Sequence, residues 1–352
     1  MTNWAFWLEV FVRSATLLLA AGVVYRAAKS QNAAFRHRLL LCTLILLALL
    51  PVLTVLLPEI QVQLHSPHRT GRALVTAQEL SATVVRIPAR RSVNWPVAIW
   101  IAGVCAACLP MAIGAFAAWK MVRDAKPVAT PTIKDAVNAV GALLPSKTQV
   151  LFCNRVSVPL TCGIFVRKIL LPRDAEAWSP SRLKAVLLHE TAHVRRRDVA
   201  VQTFARIIAA LYWFQPFVWE LRRRLRRESE LACDDDVLRA GFVPSEYAAE
   251  LLAIATTISR GQSFPAVAIG MARCCDFENR LRAIVNPPVT LFPRMSRSIR
   301  YALASSLALA AITASAVNLS SRQTLNPKGG STMKSVLISA LLTSTGLTAA
   351  TI

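Results

Sequence analysis

The sequence predicts a mainly α-helical membrane protein, with about four transmembrane helices and a water-facing α+β region inserted before the last of them. Two observations predict it. Hydrophobic residues make up 54% of the 352 residues and charged residues only 17%, more apolar than a soluble domain of this size. Of 19 acidic residues, all but Glu9, Glu59 and Glu79 fall between Lys120 and Arg300, and most basic residues join them there.

About 20 apolar residues in a helix cross a bilayer. Trp4 to Val24 meets that length although it carries Glu9 and Arg13, which must pair or lie near an interface. Leu39 to Leu57 is a leucine-rich run, Pro96 to Trp119 has no charge, and Tyr301 to Leu319 is a fourth, alanine-rich run. Pro110 is tolerable because neighbouring helices can satisfy a freed carbonyl. The expected layout is therefore three helices in 1–119 with an outer loop at 58–95, a charged domain over 120–300, a fourth helix at 301–319, and a linker and weakly apolar tail over 320–352. The tail segment Val336 to Ile352 reads either as a fifth span or as an unstructured end. No removable signal peptide is expected, because the first apolar run lacks a small-residue cleavage site.

The net charge of +22 matters through its placement. Arg26, Lys29, Arg36 and Arg38 crowd the short link between the first two runs, which places that link, and the region after Trp119, on the cytoplasmic side. Arg86, Arg90 and Arg91 pull the other way. The eight cysteines show no disulfide framework, and free thiols suit a reducing cytoplasm. Cys105 and Cys108 form a CxxC inside an apolar run and read as small residues at a helix interface. A nucleic-acid-binding role is disfavoured, since the basic charge comes without a recognition motif.

Within 120–300, Lys147 to Leu171 alternates β-branched and polar residues around Pro159 and Gly163, as short strands do. Ser179-Pro180 starts a helix that runs through Arg197. Asp198 to Trp219 is apolar but broken by Gln202, Arg206, Gln215 and Pro216. It fits either a buried core helix or a segment dipping into the membrane.

That first helix contains His189-Glu190-Thr191-Ala192-His193, an HExxH within an apolar pattern. Residues four apart on a helix stand one above the other, so both imidazoles aim at one point. Two neutral imidazoles there can hold zinc, and Glu190 lies beside them to take a proton from water. The chain's other histidines, His37, His65 and His68, lie outside the charged domain. A catalytic zinc takes three protein ligands, so the third must be a carboxylate or a thiolate. Glu230 and Asp234 are four apart on one helix face, which lets Glu230 ligate while Asp234 hydrogen-bonds a ligand imidazole. Glu228 points elsewhere on that helix, and Cys233 is the soft-ligand competitor. A plainer reading pairs all these acids with the arginines of Arg222 to Arg227. For a second oxyanion donor, Tyr212, Tyr247 and an arginine are candidates.

Four stretches in order, Pro159 to Gly163 with Pro172, HETAHVRRRD, Trp213 to Trp219, and Glu230 to Asp234, resemble the BlaR/MecR family of membrane metalloproteases. Those are signal-transducing antirepressors of β-lactam resistance and their relatives, and the likeness covers roughly residues 1 to 320. The resemblance implies a gluzincin-type zinc endopeptidase in the bacterial inner membrane, multi-pass, with the protease domain cytoplasmic. It implies His189, His193 and Glu230 as ligands, Glu190 as base, and a winged-helix repressor or the chain itself as substrate; membrane lipids are the other expected partners. Members that sense β-lactams carry a penicillin-binding domain after the fourth span. The sequence given ends some thirty residues after it, and Ser331-Thr-Met-Lys334 reads as a chance SxxK. The alternatives are a quality-control protease of the HtpX or CAAX-protease kind and a non-catalytic membrane receptor.

Overall fold

The computed structural model describes residues 3–56, 60–61, 94–128, 130–260, 277–286 and 317–318. Three helices in it are long and apolar enough to cross a membrane. Helices α1 (Asn3–Ala27) and α2 (Ala33–Leu56) form a hairpin through a short link at 28–32. Leu17, Leu18 and Ala21 of α1 pack on Leu40, Leu44 and Leu47 of α2. Inside α1, Arg13 pairs with Glu9 one turn away, so neither charge stands alone. Helix α2 begins six residues before the apolar run because Arg36 and His37 are folded against the next layer and not left in a loop.

Helix α3 (Trp95–Arg123) is peripheral and has no fully buried residue. Among the described residues the CxxC lies in no tight helix interface: Cys105 is exposed and Cys108 is half-buried. Residues 301–316 of the expected fourth span lie outside the described residues, as do 62–93 of the outer loop and the tail at 320–352. The last residues of that expected span are extended: β6 (Val317–Asn318) pairs in parallel with β1 (Ile60–Gln61).

After α3 the chain builds a four-stranded sheet from β2 (Lys126–Pro127), β3 (Gln149–Phe152), β4 (Leu160–Cys162) and β5 (Lys168–Leu171), in the order β2-β3-β5-β4. The β3–β5 pair is parallel and the others antiparallel. Gly163 turns β4 back toward β5 with φ +87°, and a Cβ there would stand 2.0 Å from the Val166 carbonyl oxygen. That close approach explains the glycine. Against the sheet and α4 (Pro131–Val140) packs α5 (Pro180–Arg196), whose start is capped by Ser179 Oγ accepting from the Arg182 N–H. Ile133, Ile169, Leu171, Leu183, Leu187 and Val237 form this second core.

Helix α6 (Asp198–Leu211) follows a single left-handed residue, Arg197, at φ +57°. It turns at Tyr212–Gln215 into α7 (Pro216–Arg239), with Pro216 at the first turn. The α6–α7 hairpin lies alongside α1 and α2. At its tip Tyr212 O–H donates to the Leu47 carbonyl, and Gln215 Nε2 to the Phe11 carbonyl and Ser14 Oγ. At its open end Tyr25 and Arg36 hold Glu228. The eleven positions from Ser14 to Tyr25 correspond to about 16 Å of helix, roughly half a hydrocarbon core of about 30 Å. The apolar stretch after Asp198 is thus a helical hairpin packed beside the membrane-length helices. Helix α8 (Pro244–Arg260) and a short helix over 277–285, α9, close the second core.

The tip is fitted closely to α3: a Cβ on Gly103 would stand 2.1 Å from Trp213 Cε2. Gly103→Leu therefore overpacks the α3–hairpin contact and should cost about 1–3 kcal/mol. A lower melting temperature in detergent micelles is expected, and an unchanged one would show that α3 is free to move away from Trp213.

Candidate functional site

The α5 helix places His189 and His193 one turn apart, and their rings meet edge to face with centroids 4.8 Å apart. Their Nε2 atoms face each other at 3.2 Å. Glu230, from the middle of α7, completes the cluster: its two carboxylate oxygens stand 3.7 Å from His189 Nε2 and 3.9 Å from His193 Nε2. One ligand atom from each of the three residues lies within 4.8 Å of the others. Two nitrogens held tetrahedrally at about 2.0–2.1 Å from one metal ion stand about 3.3 Å apart. The observed spacing fits.

Each imidazole is fixed from behind. His193 Nδ1 lies 2.8 Å from Asp198 Oδ2, and His189 Nδ1 lies 3.2 Å from Asp234 Oδ1 and 3.0 Å from Tyr247 Oη. A carboxylate at Nδ1 selects the tautomer that leaves the Nε2 lone pair facing the cluster. Tyr247 O–H donates to Asp234 at 2.8 Å, and Ser229 O–H to Asp198 at 2.6 Å. Arg280, from α9, grips Asp234 with two nitrogens at 2.8 Å each and reaches Glu230 with a third at 3.0 Å.

These contacts set the charge. Burial alone would lower the His189 pKa, but its hydrogen bonds to Asp234 and Glu230 and the charge of Asp234 outweigh it and push it up to about 9. Burial would raise the Glu230 carboxyl, yet His189 and Arg280 hold it well below the usual carboxylate range. Arg280 does the same for Asp234 against its burial. Four carboxylates (Glu190, Asp198, Glu230 and Asp234) meet two guanidiniums, those of Arg280 and of Arg196, 3.4 Å from Asp198. With neutral imidazoles that leaves two formal negative charges, a balance suited to a divalent cation.

The remaining sequence candidates fall on either side of the cluster. Glu190 is buried on α5, and its Oε2 accepts from Thr161 O–H of β4 at 2.6 Å. Cys233 lies behind His193, 3.4 Å from Nδ1 and not from Nε2. Burial, with Asp198 alongside, pushes its thiol well up, and its sulfur lies on the Nδ1 side of His193, away from the facing Nε2 atoms. Glu228 points away toward Tyr25 and Arg36, and so does not pair with the arginines of its own helix segment. Neither tyrosine candidate is an oxyanion donor here: Tyr212 sits at the hairpin tip, and Tyr247 is committed behind His189.

Sequence reasoning missed Thr161, Asp198, Ser229 and Arg280. Asp198 has a visible trace as the acid that ends a run of three arginines five residues past His193. The left-handed Arg197 turns it back onto the imidazole. Arg280 has no such trace.

Comparison with known proteins places the chain in a family. Residues 4–284, from α1 to α9, match the model of the BlaR1 peptidase M56 family. The Regulatory protein BlaR1 of Bacillus licheniformis is 26% identical over 183 residues, half of this chain and 30% of that protein. The Methicillin resistance mecR1 proteins of Staphylococcus aureus and Staphylococcus epidermidis are 22% identical over 89 residues, 25% of this chain and 15% of theirs. The chain thus covers less than a third of the length of these curated relatives. The matched segment holds the apolar helices, the facing imidazoles and the carboxylates behind them, and on that match the chain belongs to the BlaR1 peptidase M56 family.

Proposed function

We propose that this chain is an integral membrane zinc endopeptidase that acts in signal transduction by cleaving itself, a winged-helix repressor, or both. One observation carries the reading: two imidazole Nε2 atoms 3.2 Å apart, completed by Glu230, with Glu190 on the same helix. His189, His193 and Glu230 would hold the zinc, which when bound makes a water acidic near neutral pH and polarises the scissile carbonyl.

The chain's own groups do the rest. Glu190 takes the proton of the attacking water and delivers it to the departing amine. Thr161 O–H, on one Glu190 oxygen at 2.6 Å, leaves the other free for that exchange. Asp198 and Asp234 keep the imidazoles turned, and Arg280 steadies Glu230 and Asp234 together. A peptide has a natural seat beside them. Among the described residues β4 is an edge strand, and its Thr161 hydroxyl also lies 3.4 Å from the Glu190 carbonyl, so a substrate added to that edge runs past the base.

A structural metal site would close its fourth position with another thiolate or imidazole. Cys233, the thiol in contact with His193, is turned to the back of that ring, which supports the enzyme reading over a non-catalytic receptor. The basic link between α1 and α2 supports a cytoplasmic site, and the names of the relatives support a regulatory role over quality control. Ile164, Phe165 and Val166 expose apolar side chains at the β4–β5 turn, Phe165 by 94%, which suits contact with lipid or an apolar substrate.

Glu190→Gln should keep zinc affinity within about twofold and lower cleavage by about 10²–10⁴-fold. Gel and mass-spectrometric analysis of a labelled unfolded protein, and of the chain itself, incubated in lipid nanodiscs would read this. Cleavage by the variant at the parent's rate would remove Glu190 from the mechanism.

Zinc binding should also release a proton. Metal-free His189 is protonated below about pH 9, whereas a ligand imidazole is neutral. Affinity measured by chelator competition should therefore rise about tenfold per pH unit through neutrality and level off above pH 9. An affinity independent of pH between 6 and 8 would exclude His189 as a ligand in this environment.

A further inference from the structure

The open end of the α1–α2 hairpin reaches the back of the metal cluster. Asp198 is 4% exposed, and its two oxygens are used unequally. Oδ2 accepts from His193 and Ser229 and lies 3.4 Å from Arg196 Nε. Oδ1 is buried with no hydrogen-bond partner. The group facing it, at 3.8 Å, is Nε2 of His37, which is also buried with no hydrogen-bond partner. Two orphaned atoms, a potential donor and an acceptor, thus confront each other about 1 Å beyond a hydrogen bond. Leaving both unmade costs the desolvation of each, so small displacements that join them are favoured. His37 lies on α2, one residue after Arg36, which bonds Glu228 at 2.9 Å. Glu228, Ser229 and Glu230 are consecutive: one faces the membrane hairpin, one Asp198, one the metal cluster.

We propose that His37 is a positioning residue of the metal site: through Nε2 it holds Asp198, which holds His193, so that the seating of the α1–α2 hairpin sets how firmly the metal is gripped. This rests on the reading of His189, His193 and Glu230 as ligands. The contact acts as a latch. A shift of the hairpin toward α6 makes the hydrogen bond and stiffens Asp198, and a shift away leaves one Asp198 oxygen unrestrained. Movement among the membrane helices is thereby expressed at an imidazole, through a path of two residues.

The full chain in nanodiscs tests this through zinc affinity by chelator competition at one pH. Loss of a partner hydrogen-bonded directly to a ligand costs about 10–100-fold in metal affinity, which is expected for Asp198→Ala. His37→Leu, one step further out, should weaken zinc about 3- to 10-fold, and His37→Gln, which keeps a donor near the Nε2 position, should return to within about twofold of the parent. In an Asp198→Ala background His37→Leu should add nothing, because the path runs through that carboxylate. Leu44→Ala, a cavity in the same helix's core, should lower the melting temperature while leaving zinc affinity unchanged. Parental affinity in His37→Leu, a full additive loss in the double variant, or an equal loss in Leu44→Ala would each overturn the latch. Equal zinc in His189→Ala and the parent would instead overturn the ligand set, and the latch with it.

Discussion

Two imidazole nitrogens that point their lone pairs at each other across 3.2 Å repel unless something fixes both rings and something positive or a shared proton lies between them. The structure answers the first need with Asp198 and Asp234, each at an Nδ1. Those carboxylates then create a second need, because buried charge is expensive unless paired. Arg280 meets it for Asp234 and Glu230, while Ser229 and Arg196 meet it for Asp198. The cluster remains short of positive charge, which suits it to hold a metal ion.

The membrane-facing part obeys the same accounting for backbone groups. A helical hairpin that turns among apolar helices must satisfy the carbonyls at its tip without water. Trp100 Nε1 of α3 donates to the Leu211 carbonyl at 3.0 Å, and Trp219 Nε1 to the Trp213 carbonyl at 3.1 Å. Gln215, fully buried, bridges to α1. The polar breaks and tryptophans of Trp213 to Trp219 are therefore the fittings of a buried turn. Gly103 is small because the Trp213 indole lies on it.

The parts of this arrangement written in local periodicity were legible in the sequence. HExxH, the Ser179 cap, the apolar helices and the four-residue spacing of Glu230 and Asp234 all depend on residues within one or two turns of each other. What escaped depends on tertiary contact. Arg280 lies 46 positions from Asp234 and reads as one more arginine in a basic chain. His37 reads as a lone histidine in a basic link, and only the packing of α2 against the start of α6 brings it to Asp198. The choice between a core helix and a dipping segment after Asp198 is open in the sequence for the same reason: apolar residues broken by Gln and Arg fit both, and the pattern does not say which side chains they meet.

Helix α7 joins the two halves mechanically. Its 24 residues span about 36 Å. Val218, Leu221 and Leu225 belong to the core shared with α1, α2 and α6, whereas Val237 belongs to the core beneath the sheet. Glu230 falls between these anchor points. A close-packed core transmits displacement because it has little free volume to absorb it. A rigid helix held in both cores cannot shift at its membrane end without carrying Glu230 relative to His189 and His193, which sit on a different helix. The candidate metal cluster therefore sits at a joint between the two cores, where a displacement of α7 as a whole, unlike a local cavity, is felt at the site.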